Sequence, residues 1–144
     1  MHRTSHALFF AGLTLLLLNG CEDKAMVNVY DKSILKSPPS CLTLSVIPPD
    51  AAIEKAIRDR FAFADTCPWR LDVSYKSNIH CTSNQNSNRK ALSAFPSSYV
   101  RLEIRKGMKL AYSYYVDLTQ QADADDASRA MSRVLSDLFE DESL

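Results

Sequence analysis

Two rhythms run through the chain after residue 40. Leu42-Thr43-Leu44-Ser45-Val46 alternates apolar and polar residues, the pattern of a half-buried strand. Pro48-Pro49 ends it, and Asp50 is placed to cap a helix. Ala52, Ile53, Ala56, Ile57 and Phe61 then recur at three and four, which marks one apolar helix face fading near Phe63. Period two returns with Trp69, Leu71, Val73, Tyr75, Ile79 and Cys81 on one parity, broken by Ser77. This predicts one long strand with a buried and a wet face. The polar run 82–90 reads as a loop, and 91–95 as one short helical turn stopped by Pro96.

Val100, Leu102 and Ile104 are even-numbered, as are Met108, Leu110, Tyr112, Tyr114, Val116 and Leu118. A three-residue loop at 105–107 pairs Ile104 with Met108 and Leu102 with Leu110, so both apolar sets share a face. Gly107 would then occupy the left-handed third loop position. Asp123, Asp125 and Asp126 precede a run in which Ala127, Ala130, Met131, Val134, Leu135, Leu138 and Phe139 form a 3-4 stripe. Acidic residues suit the positive end of that predicted helix.

The element order β-α-β-β-β-α implies an α+β domain of two layers, with a four-stranded mixed sheet and two helices on one face. The first strand-helix-strand unit should be parallel. Arg70, Asp72, Lys76, His80, Arg101, Glu103, Lys109, Tyr115 and Asp117 would occupy the outer face. Such a face is either a docking surface for a partner or an ordinary solvated sheet face, and the second is the commoner case.

The N-terminus breaks the pattern. Arg3 precedes an apolar run from Ala7 to Leu18, too short to span a bilayer permanently. Leu18-Asn19-Gly20-Cys21 follows, and this stretch resembles a bacterial lipobox: leucine at −3, glycine at −1, cysteine at +1. The resemblance implies that residues 1–20 are a lipoprotein signal peptide, that Cys21 carries the lipid, and that the mature protein is membrane-anchored. The chain divides accordingly into the signal 1–20, a tether 21–40 and a single domain 41–144. Within the tether, Met26 to Tyr30 alternates weakly, which leaves a short extra strand as the alternative reading, and the paired Pro38-Pro39 favours extended backbone.

Removing residues 1–20 takes one of the 17 Lys+Arg and none of the 17 Asp+Glu, leaving a net charge of −1. Near-neutrality argues against nucleic acid, which wants a concentrated basic face. Cleavage also removes His2, His6, Gly12 and Gly20, leaving His80 and Gly107 as the last of their kinds. A glycine-rich phosphate loop is excluded, and so is a Gly-x-Ser-x-Gly elbow. His2 and His6, the one His-x-x-x-His spacing, leave with the signal, and no Cys-x-x-Cys spacing is present to suggest a metal. His80 and Cys81 are adjacent and would face opposite sides of a strand, so they form no dyad. Tyr75, Tyr112 and Tyr114 read as core-edge residues with wet hydroxyls.

Cys41, Cys67 and Cys81 remain after Cys21. Cys67 and Cys81 flank one predicted strand and would stand about 46 Å apart at about 3.3 Å per residue. Cys41 and Cys67 both precede strands expected to run parallel, which makes them the expected disulfide pair and leaves Cys81 as a free thiol. The parity of Cys41 argues the other way, since it is opposite to that of Leu42 and Leu44.

These features imply a non-enzymatic accessory or assembly protein of the cell envelope. It would face the periplasm, more readily from the outer membrane than the inner, without cofactor or metal. An envelope protein partner would use the exposed sheet face. In element order the domain also resembles the lipopolysaccharide-assembly lipoprotein family, which implies a barrel-associated role. The competing class is a small-ligand carrier.

Overall fold

The computed structural model describes residues 25–79 and 96–139. Among the described residues, five strands and three helices follow in chain order. They are β1 (Ala25–Val29), α1 (Ser33–Lys36), β2 (Thr43–Ile47), α2 (Ala51–Arg58), β3 (Trp69–Lys76), β4 (Ser98–Lys106), β5 (Lys109–Leu118) and α3 (Ala124–Leu138). The class is α+β, with a mixed sheet in the order β1-β5-β4-β3-β2. β2 and β3 run parallel, and the other neighbours are antiparallel.

The sheet has five strands rather than the four expected, and there are three helices rather than two. The additions come from the stretch read as tether. Ala25 to Val29 pair with β5 from Val116 to Tyr112, and α1 buries Ile34 in the core. β1 leaves little trace in residue order because it is a five-residue edge strand exposed along most of its length. Without a buried face there is no strong alternation to read. Its ladder to β5 and the Ile34 contact hold it instead.

Both long helices start on side-chain caps. The Asp50 carboxylate accepts from the Ala52 and Ile53 N–H groups at 2.8 and 3.0 Å. Asp123 and Asp126 form a reciprocal capping box at the start of α3. Asp126 is buried there, and burial raises its carboxyl pKa, with Arg129 beside it as ion partner. Ile53 and Ile57 of α2, and Ala127, Ala130, Met131, Val134 and Leu138 of α3, close over the sheet. The sheet answers with Leu71, Val73, Val100, Leu102, Ile104 and Tyr112, all fully buried.

Two local expectations change. β3 stops at Lys76 instead of running to Cys81. Ser77 Oγ accepts from the Ala122 N–H at 3.0 Å, and Asn78 takes φ 58°. Asparagine tolerates this left-handed conformation, which leaves the strand direction. His80, Cys81 and the expected helical turn at 91–95 lie outside the described residues.

The β4–β5 hairpin turns through Gly107 and Met108, with Lys106 opposite Lys109. The expected three-residue loop is therefore absent, and Met108 is 92% exposed instead of facing Ile104. Gly107, at φ +58°, is the first central residue of a two-residue turn. Glycine belongs there in a II′ hairpin, whose twist matches that of its strands. A bulge restores the apolar face: Arg105 lies opposite Leu110, but Ile104 lies opposite Tyr112, so Ala111 is the extra residue. Beyond it Leu102 meets Tyr114 and Val100 meets Val116. The shared even parity is satisfied by a bulge inside the strand, not by the loop.

Candidate functional site

The sheet face turned away from the helices is built by even residues of β3 and odd residues of β4. Arg70 lies opposite Arg105, Asp72 opposite Glu103, and Ser74 opposite Arg101. Like charges directly across a ladder repel. The side chains relieve this by pairing along and diagonally across the strands. Arg70 meets Asp72 at 2.6 Å, and Arg105 reaches Asp72 at 3.5 Å and Glu103 at 2.8 Å. Arg101 lies 3.7 Å from Glu103 and donates to Ser74 Oγ at 3.2 Å. Three guanidiniums and two carboxylates thus form one alternating chain with an excess of one positive charge.

With Ser45 and Ile47 of β2, this chain lines an open depression of about 420 Å³. Ile47 is 60% exposed at its rim. Beyond Arg101 the face continues to Tyr115, which stacks on Tyr99 at 5.5 Å between ring centroids. The Tyr115 hydroxyl donates to Asp117 at 2.6 Å. Burial, and then that hydrogen bond, push the phenol pKa from 10.0 to about 12.

This arrangement suits recognition of a polar or charged surface. A guanidinium presents a planar fork to carboxylate or phosphate. Here each fork is partly engaged by an internal carboxylate, while Arg70 and Arg101 keep 47% and 45% of their side-chain exposure for an incoming group. Ser74 is bonded to a cation, which does not activate a hydroxyl as a base would. Among the described residues, no group of three or more His, Cys, Asp or Glu is placed to hold a metal.

Of the residues singled out in the sequence, Arg70, Asp72, Arg101, Glu103, Tyr115 and Asp117 share this face. His80 and Cys21 lie outside the described residues. Lys109 sits away from the depression, paired with Asp31 at 2.9 Å. Hydrogen bonds from Ser33, and then Lys109, hold the Asp31 carboxyl well below the usual carboxylate range. Arg105 joins the face although the expected three-residue loop claims it. The odd parity of Arg101 and Glu103, continued by one step, is the signal that finds it.

The structure joins Cys41 to Cys67 in a disulfide with Cα atoms 6.1 Å apart. Both precede β2 and β3, which pair as parallel neighbours from Thr43–Arg70 onward. The bridge therefore ties the two entrances of the strand-helix-strand unit, before alternation constrains either side chain. Tyr112, expected to keep a wet hydroxyl, is fully buried and donates to Asp137 at 2.6 Å. Burial, then this hydrogen bond, drive its phenol pKa far upward.

No family model matches the chain, and no curated protein matches it. Among solved structures it is similar to a point variant of a PelC dodecamer from Paraburkholderia phytofirmans, at 10% identity and a TM-score of 0.39. That match covers 80% of this chain and 97% of the PelC chain.

Proposed function

We propose that the chain is a membrane-anchored envelope lipoprotein with a non-enzymatic accessory or assembly role. The observation that carries this reading is Leu18-Asn19-Gly20-Cys21 after a short apolar run. The Cys41–Cys67 bridge supports an oxidising compartment such as the periplasm. The outer sheet face supplies a surface for an envelope protein partner, with Arg70, Asp72, Arg101, Glu103 and Arg105 held in fixed positions by their mutual ion pairs.

Lipid attachment is tested by metabolic labelling with a fatty acid. The wild type takes up label and Cys21→Ser does not. Equal labelling of the two removes the anchor reading. Density-gradient fractionation then separates the outer from the inner membrane, and the outer is the expected location.

The depression on the outer face favours a second reading, a carrier of a small polar ligand. Pull-down of the lipidated protein from membranes separates the two. A stable protein partner lost in Arg105→Glu supports the assembly role. A co-purifying small molecule without a protein supports the carrier.

A further inference from the structure

The first described strand begins four residues after Cys21. Four Cα–Cα steps reach at most roughly 14 Å. If Cys21 holds the lipid, as in the reading above on which this inference rests, β1 cannot stand far from the bilayer. Of the tether expected over residues 21–40, five residues form β1 and four form α1.

The composition of that segment fits a membrane surface. Six large apolar residues are exposed among the described residues, and four of them are Met26, Val27, Tyr30 and Leu35. Lys32 and Lys36 are exposed on the same short stretch. Exposed apolar side chains on a polar segment suit the headgroup region through the apolar area they bury there. Glu22, Asp23 and Asp31 balance Lys24, Lys32 and Lys36, so the contact rests on that area and not on net charge. β1 is also a sheet edge, with β5 on one side and no strand among the described residues on the other. Its unpaired backbone groups forbid burial in hydrocarbon, so contact must stay at headgroup depth.

We infer that the β1 edge, with Tyr30 and Leu35 beyond it, lies flat against the headgroups of the anchoring membrane. The sheet then stands on this edge. β2 lies four strand spacings away, roughly 19 Å at about 4.8 Å each. The charged outer face is left free along its width, upright from the membrane, for a partner.

The test uses full-length lipidated protein with Cys81→Ser. Met26→Cys, Tyr30→Cys, Leu35→Cys or Ile47→Cys is added singly and labelled with an environment-sensitive fluorophore. The vesicles contain phosphatidylethanolamine and phosphatidylglycerol with brominated acyl chains near the headgroups, and fatty-acid incorporation is measured on each variant. All four positions are exposed, and circular dichroism checks that each variant is folded. The expected result is loss of emission at 26, 30 and 35 with none at 47. Quenching at 26 alone means an end-on stance and overturns the inference. With lipid incorporated, absence of quenching at all three overturns the orientation while leaving the anchor intact. So does crosslinking between copies through residue 26 in place of quenching, which makes β1 a self-pairing edge. Absence of incorporated lipid removes the anchor reading and the orientation with it.

Discussion

Leu102 and Glu103 are neighbours on β4 and face opposite sides of the sheet. Leu102 is fully buried against the helix layer. Glu103 holds Arg105 at 2.8 Å, and its side chain retains 15% of its exposure. The inner face is stabilised by removal of apolar area from water and by close packing. The outer face is held by ion pairs, whose attraction is largely offset by desolvation and screening. One face supplies stability, and the other supplies a patterned surface that is nearly neutral in stability and therefore free to serve recognition.

The largest expected effect comes from the inner face. Leu102→Ala should lower the unfolding free energy by about 2–5 kcal/mol in denaturant titration. An effect below that range would mean the core relaxes around the site. Next comes the bridge that clamps the entrance to both layers. Replacing Cys41 and Cys67 together by serine should remove roughly 3 kcal/mol in the chain-entropy account, for a loop closed by a sequence separation of 26. Non-reducing peptide mapping of exported protein should recover the Cys41–Cys67 linkage, and a Cys67–Cys81 linkage would contradict it.

Gly107 lies at the end of both faces. An added Cβ would meet nothing within 4 Å, so Gly107→Val is opposed by backbone strain and not by a clash at Cβ. At φ +58° this should be at least about 1 kcal/mol, measured by thermal unfolding. Unchanged stability would count against the turn conformation.

Glu103→Ala should cost no more than about 1 kcal/mol, since Arg101 and Arg105 keep partial access to water. A loss equal to that of Leu102→Ala would erase the contrast between the faces. The last effect appears only at alkaline pH. Tyr115 has its folded pKa raised from 10.0 to about 12, so the native state holds the proton more tightly than the unfolded chain. Its contribution is complete below pH 10 and declines as pH rises toward 12. A difference titration of wild type against Tyr115→Phe should show a phenol ionising late in that window.

Much of this contrast is legible in residue order. Leu71 and Val73, and Leu102 and Ile104, alternate with charged residues, and that alternation assigns both faces without coordinates. Asp50 and Asp123 announce their helices because a carboxylate before an amphipathic run has free N–H groups to accept from. The candidate site is legible as a face but not as a network. Which arginine meets which carboxylate depends on register between β3 and β4, whose residues stand 27 apart in sequence at the Arg101–Ser74 contact.

Residue order alone settles the elements with a strong period: β2, α2, β3, most of β4 and β5, and α3. Each carries its own buried face, and burial imposes the period locally. Contacts between distant segments settle the rest. β1 exists because β5 offers it a ladder, since five mostly exposed residues have no stability alone. The bulge at Ala111 exists because two even-numbered apolar sets and a two-residue turn are incompatible in a regular ladder. The Cys41–Cys67 pair follows in residue order from the expected strand-helix-strand unit, but the bridge itself forms only because β2 and β3 become direct neighbours in the sheet. In all three cases the deciding contact lies between separate strands, and its free energy is realised only when both are folded.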